Sequence, residues 1–236
     1  MNDSKIAVIT GGSRGIGLAI AEVFCEAKYH VIILGRESAR LQAVVDQLQS
    51  KGLVAEPTVC DVTLPASIAA AFQQIGSKHG RIDVLVNNAG VAHALAPAGE
   101  LSLDVWKQVI DTNLTGTFLV TQAALPLMPS GGVIVNNLSV AAIQPFAGMS
   151  AYNASKYGAY GFTQALREDL RKLGIRVLAL IPGAVDTDIW EQFWADAPRD
   201  KMVSAKAVAD AVLHAVNAPA NTSIDEIRLG PASGVL

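Results

Sequence analysis

Short β-branched runs alternate with longer segments of helical period along almost the whole chain. Ile6 to Thr10 is the first run, followed by a glycine-rich turn and a helix from about Ile16 to Lys28. His30 to Leu34 is the second strand. Leu41, Val44, Val45 and Leu48 then recur at helical spacing, from a cap at Ser38 to a stop at Gly52. Val54 to Val59 reads as a third strand containing Pro57, which has no N–H for a ladder and so places that strand at a sheet edge. Pro65 opens a helix that ends near His79 and Gly80, and Val84 to Val86 is the fourth strand. The pattern then predicts one long helix from Leu103 through Leu119 towards Leu127, and a strand from Val133 to Leu138. A helix from Ala151 to Leu173 stops at Gly174, and the strand Val177 to Ile181 is broken by Pro182 and Gly183. After an irregular stretch come a helix from Ala205 to Val216 and a last strand from Ile224 to Leu229. Strands alternating with helices predict an α/β, doubly wound fold with a mostly parallel sheet covered on both faces. No repeat or linker divides it, so residues 1–236 are expected to form one domain.

Composition narrows the class. With 51% hydrophobic and 17% charged residues the chain is not a disordered one. The net charge is −3 with Lys and Arg scattered, which leaves no basic stripe for nucleic acid. Cys25 and Cys60 are too few for a disulfide framework. His30, His79, His93 and His214 contain no pair at metal-ligand spacing, which argues against a zinc site. No apolar run is long enough for a signal-peptide core or a membrane span, so a soluble, cytoplasmic protein is expected.

The first strand ends in Thr10-Gly11-Gly12-Ser13-Arg14-Gly15-Ile16-Gly17. Glycines at 11, 15 and 17 allow a tight turn, close approach of a pyrophosphate and close helix–sheet packing. The helix that follows offers unpaired N–H groups and a partial positive charge to phosphates. Dinucleotide enzymes place an acid at the end of the second strand, where this chain reads Leu34-Gly35-Arg36. Arg36, with Arg14 as a second cation, suits a 2′-phosphate, so NADP(H) is favoured over NAD(H). Glu37, one residue on, would contest this if the register were shifted.

Ser139 follows the fifth strand, at the same sheet edge as the glycine turn, and Tyr152 and Lys156 share one face of the next helix. Ligands of open α/β sheets bind in that crevice. A phenol with a pKa of about 10 is a poor proton shuttle at neutral pH. An ammonium about 4 Å away would favour phenolate by up to ~4 kcal/mol at an effective dielectric near 20, or roughly three pKa units. Tyr152 would then work as acid and base, with Ser139 donating to the substrate oxygen as charge builds there.

These residues resemble the short-chain dehydrogenase/reductase family, in its compact single-domain branch, along nearly the whole chain. The matching pieces are TGGSRGIG at 10–17, Asp61-Val62, NNAG at 87–90, Asn113, Ser139, Tyr152 with Lys156, and PGAVDT at 182–187. The resemblance implies hydride transfer between a nicotinamide and a carbonyl or alcohol carbon, with a Rossmann-type sheet of order 3-2-1-4-5-6-7. It implies that Lys156 lowers the tyrosine pKa and binds the nicotinamide ribose, and that Asn113 holds a water for proton relay. It sets Asp61 and Val62 against adenine, Asn87, Ala89 and Gly90 on the cofactor floor, and Thr187 at the carboxamide. Ser13, Ile16, Pro182, Gly183 and Val185 complete the implied cofactor contacts. By resemblance, too, the segment after Pro182-Gly183 is a mobile lid, and a homodimer or homotetramer uses the last strand and the helices beginning near Leu103 and Ala151.

Trp190, Phe193 and Trp194, with Gln144 and Phe146, are the candidate substrate contacts for an apolar pocket. His93 reads as an exposed loop residue and Cys60 as a buried, inert thiol. The leading expectation is an NADPH-dependent carbonyl reductase for a small molecule, needing no metal. The alternatives are a non-catalytic NADP(H) sensor or scaffold, and a 3-oxoacyl-(acyl carrier protein) reductase. The C-terminus, Ile224 to Leu229 followed by Gly230-Pro231, departs from the ends of the commonest fatty-acid-synthesis reductases.

Overall fold

Strand β1 (Ile6–Thr10) is buried along its whole length, and its side chains divide between two apolar layers. Ala7 and Ile9 face one layer and Ile6 and Val8 the other, the alternation that a strand covered on both faces requires. The structure is a computed structural model and describes residues 4–234. The sheet adds β2 (His30–Gly35), β3 (Ala55–Val59), β4 (Val84–Asn87), β5 (Val133–Asn137) and β6 (Arg176–Pro182). Two further strands, β7 (Val185–Asp186) and β8 (Val203–Ser204), form a small parallel ribbon outside it, and β9 (Glu226–Leu229) closes the main sheet. The order is β3-β2-β1-β4-β5-β6-β9, with every pairing parallel. This is the expected doubly wound arrangement. Pro57 lies opposite Ile33 on the edge strand β3.

Helices α1 (Gly15–Glu26) and α2 (Ser38–Ser50) cover one face, with α7 (Ala205–Val216) packed on α1. On the other face lie α3 (Pro65–His79), α5 (Gly116–Ala124) and α6 (Ser150–Arg171). Pro65 opens α3 and the left-handed Gly80 ends it, as the sequence pattern indicates. Ser38 does not cap α2: it is the first helical residue, behind an extended Glu37 that makes no side-chain cap bond.

The single helix expected from Leu103 to Leu127 is instead broken. Helix α4 (Leu103–Ile110) runs into a π-helical turn, Asp111–Thr115, before α5 and a final 3₁₀ turn, Leu125–Leu127. The cause is tertiary. Asn113 is drawn sideways by Val91 and Ser155, and a Cβ on Gly116 would lie 2.9 Å from the Val62 carbonyl. The extra residue in the turn lets both contacts form on one helix face. Among the described residues no helix is long and apolar enough to cross a membrane.

A buried amide–hydroxyl chain fastens the sheet to α5 and α6. Asn87 Nδ2 donates to Thr121 Oγ1 at 2.9 Å and to Asn136 Oδ1 at 2.8 Å, and Asn136 Nδ2 donates to Thr163 Oγ1 at 2.9 Å. Asn136→Ala removes two of these bonds and leaves a cavity. The expected loss is about 2–4 kcal/mol of stability, read as a lowered urea midpoint with an unchanged slope.

Candidate active site

The carboxyl ends of β1, β4, β5 and β6 open on a cleft of about 710 Å³. At one end is the glycine turn. Gly11 (φ +62°) donates to the Leu34 carbonyl at 2.8 Å, and a Cβ there would stand 2.9 Å from the Ala89 Cα. Gly15 (φ +54°) starts α1, whose first turn has no side-chain cap and no acidic residue. A helix N-terminus left uncapped at the wall of a cleft fits an anionic pyrophosphate. Ser13, Arg14, Gly15 and Ile16 line the cleft there. Gly17 does not: a Cβ on it would fall on the Asn88 amide, so its part is to let α1 approach the sheet.

Arg14 and Arg36 are exposed on the lining, and among the described residues neither has a carboxylate within ion-pair distance. Glu37 instead faces Arg40 at 3.8 Å, and Arg40 is a third cation of this rim that the sequence did not single out. Asp61 and Val62 form the adjacent wall. Asp61 Oδ1 accepts from the Thr63 N–H at 2.9 Å and hydroxyl at 2.7 Å, which fixes that loop. Burial pushes the neighbouring Cys60 thiol up to about 11, the inert state expected of it.

Asn88 joins the strands. Its N–H donates to Thr10 Oγ1 (2.9 Å), and its Nδ2 donates to the Thr10 and Gly11 carbonyls (2.9 and 3.0 Å). Its Oδ1 accepts from Asn137 Nδ2 at 2.8 Å. The Asn137 carbonyl in turn accepts from Lys156 Nζ at 3.0 Å. Ala89 and Gly90 line the cleft, whereas Asn87, expected beside them, points into the buried chain described above.

At the other end Ser139, Tyr152 and Lys156 meet on the lining. The Ser139 hydroxyl accepts from the Ala141 N–H at 3.1 Å and acts on the neighbouring Tyr152 phenol to lower its pKa. Lys156 is buried, with Nζ 5.7 Å from the centre of the Tyr152 ring. Burial pushes the Lys156 ammonium down to about 8. Burial also raises the Tyr152 phenol above its ordinary value, only partly offset by Ser139. The expectation that lysine brings the phenol down is not met in the protein alone: burial is the dominant influence on both groups, and Lys156 Nζ is held by the Asn137 carbonyl.

Asn113 does not line the cleft. Its Oδ1 accepts from the Val91 N–H at 2.8 Å, and its Nδ2 donates to the Val91 carbonyl at 2.9 Å and to Ser155 Oγ at 3.0 Å. Its carbonyl accepts from Thr117 Oγ1 at 2.9 Å. Its side chain ties the loop after β4 to α6, one residue from Lys156. Asn153 acts similarly, donating to the Ala141 and Gln144 carbonyls at 2.9 and 3.1 Å and so seating the serine loop on the tyrosine helix.

Pro182, Gly183, Val185 and Thr187 line the cleft beside the turn, Thr187 Cγ2 lying 3.3 Å from a Cβ built on Gly15. Trp190, Phe193 and Trp194 form an aromatic cluster on the lining, with Trp190 5.0 Å from Phe193 and 6.0 Å from Trp194. Trp190 Nε1 donates to the Val185 carbonyl at 2.8 Å, and Gln192 Oε1 accepts from the Ala92 N–H at 3.2 Å, fastening the segment across the opening. Phe146 faces this cluster's cavity together with Leu95 and Met149. Gln144 is exposed and outside the lining, because its backbone is held by Asn153 and turns the side chain to solvent. His93 is buried rather than exposed, its Nδ1 2.8 Å from the Ala94 carbonyl.

Comparison with known proteins identifies the family. Residues 5–198 match the family model described as short chain dehydrogenase. An uncharacterized oxidoreductase of Staphylococcus saprophyticus is 34% identical over 230 residues, 96% of this chain and 97% of its own. A 3beta-hydroxysteroid dehydrogenase of Mediterraneibacter gnavus is 40% identical over 195 residues, 82% of this chain and 71% of its own. The crystal structure of a short chain dehydrogenase from Burkholderia cenocepacia in complex with NADP superposes with a TM-score of 0.86 at 34% identity, covering 95% of this chain and 96% of that one. On a match spanning most of its length, the chain belongs to the short-chain dehydrogenase family of oxidoreductases.

Proposed function

We propose that the protein is an NADP(H)-dependent carbonyl reductase, a single catalytic domain that transfers hydride between the nicotinamide and a small, partly apolar ketone or secondary alcohol. The observation that carries this is one cleft with complementary ends. Ser139 and Tyr152 line one end together, and at the other an uncapped helix N-terminus is flanked by Arg14 and Arg36, which have no ion-pair partner among the described residues.

Arg14 and Arg36 would hold the 2′-phosphate, the turn at Ser13 to Ile16 the pyrophosphate, and Asp61 and Val62 the adenine. Ala89, Gly90, Pro182, Gly183, Val185 and Thr187 would frame the nicotinamide half. When bound, the cofactor supplies or accepts the hydride. The phenol raised by burial stays protonated at neutral pH, so Tyr152 is set to give its proton to the carbonyl oxygen as hydride reaches the carbon. Ser139 donates to the same oxygen as it gains charge. The Lys156 ammonium stabilises the phenolate left behind, and Asn113 and Asn137 hold that lysine's surroundings in place.

The aromatic segment supports an apolar substrate and would serve as its lid. Leu103, Trp106, Phe118 and Tyr157 are large apolar side chains left exposed on α4, α5 and α6. They support the reading of a homodimer or homotetramer that covers these helices.

Tyr152→Phe is expected to lower ketone reduction by about 10²–10⁴-fold while NADPH affinity stays within about twofold. Activity within tenfold of the wild type would remove the phenol from its role. Lys156 carries its charge below about 8, so the reduction rate is expected to fall as pH rises through about 8. Lys156→Met should be slow throughout and lack that inflection. A stopped-flow pH profile that keeps the inflection in the variant would assign it to another group.

A further inference from the structure

At the end of the sheet away from the cleft, His30 at the start of β2, Glu56 on β3 and His79 at the end of α3 converge. They are 49 residues apart at their extremes, which is why no spacing motif announces them. We propose that these three side chains form a binding site for a divalent transition-metal ion, zinc foremost, that clips the edge strand β3 and helix α3 to β2.

The geometry already approximates a coordination shell. One donor atom from each residue lies within 4.8 Å of the others. His30 Nε2 is 3.7 Å from Glu56 Oε1, and His79 Nε2 contacts the same oxygen. The two imidazole rings are 4.9 Å apart and nearly perpendicular, so they do not stack against each other. A tetrahedral zinc with bonds of about 2.0–2.1 Å needs its donors about 3.3–3.4 Å apart. The His30–Glu56 pair, at 3.7 Å, is close to that value, and His79 would back away from Glu56 Oε1 to reach it.

The donor chemistry selects the ion. Two imidazoles and one carboxylate suit zinc, copper or nickel, whereas magnesium and calcium require shells made of oxygen. Three protein donors leave a fourth position for water. His30 Nε2 is buried with no hydrogen-bond partner, although it faces a carboxylate oxygen just outside hydrogen-bond range. A bound ion would satisfy that nitrogen and separate His79 from Glu56. Lys78 holds the other carboxylate oxygen, Oε2, and so orients Oε1 towards the two histidines without occupying it.

The site is shielded but reachable, with the His30, Glu56 and His79 side chains 21%, 17% and 9% exposed. None of the three lines the catalytic cleft. The ion's effect is therefore on the fold. It would link an edge strand that has a single ladder partner to the helix following it.

The test uses untagged, chelator-stripped full-length protein, titrated with zinc chloride by calorimetry and with cobalt(II) by visible absorbance. One equivalent should bind, with a tetrahedral cobalt spectrum displaced by zinc. At a hundredfold excess over the dissociation constant the melting midpoint should rise by on the order of 5–10 °C. His30→Ala and His79→Ala should each weaken binding at least tenfold and abolish the thermal shift, while His93→Ala retains both. If His79→Ala does not fold, His30→Asn gives the same comparison. Absence of stoichiometric uptake by the wild type, or uptake unchanged in the His30 variants, would overturn the proposal.

Discussion

The Asn88 side chain binds the ends of β1, β4 and β5 to one another, and the geometry of the cleft depends on it. Its amide donates to two carbonyls of the glycine turn and accepts from Asn137, whose own carbonyl holds Lys156. The glycine turn and Lys156, at opposite ends of the cleft, are thus three hydrogen bonds apart along one path. Gly17 belongs to the same constraint, because any side chain there would displace the amide. Stripping this half-buried amide of its partners costs at most about 1–3 kcal/mol. The consequence for function is larger, since a catalytic group displaced by about 1 Å can lose roughly a hundredfold in rate.

Much of this was legible in the sequence because it is local. The turn from Gly11 to Gly17 needs positive φ and close packing within a few residues, and only glycine supplies both. Tyr152 and Lys156 sit one helical turn apart, so their shared face follows from spacing alone. Pro57 gave away the sheet edge through its missing N–H. The residues that position these groups were harder to see. Asn88, Asn137 and Asn153 are ordinary polar residues in the chain, and their value comes from partners up to 78 positions away. The break at Asn113 was hidden for the same reason: its helix is amphipathic throughout, and the π turn is imposed by Val91 and Ser155. Gln144 was drawn to the cleft by its place between Ser139 and Tyr152, but Asn153 turns it outward.

Electrostatics separates the two ends of the site. At the rim, Arg14 and Arg36 are exposed and have no ion-pair partner among the described residues, so they can meet a phosphate without first breaking such a pair. Deep in the cleft, burial works against charge on both Tyr152 and Lys156. A neutral phenol beside a lysine that is easily discharged forms a proton donor, and the opposite direction of the reaction calls for higher pH. The same cleft thus combines exposed cations at its rim with buried, desolvated titratable groups at its floor.

The central claim is that the turn and the two arginines select a phosphorylated dinucleotide. It is tested most directly by titrating the purified protein with NADPH and, separately, with NADH, following reduced-nicotinamide fluorescence. NADPH is expected to bind at least tenfold tighter, with the difference shrinking as salt is raised, because the arginines at the rim are solvent-exposed. Equal or tighter binding of NADH would contradict it and leave Arg14 and Arg36 as solvated surface charges.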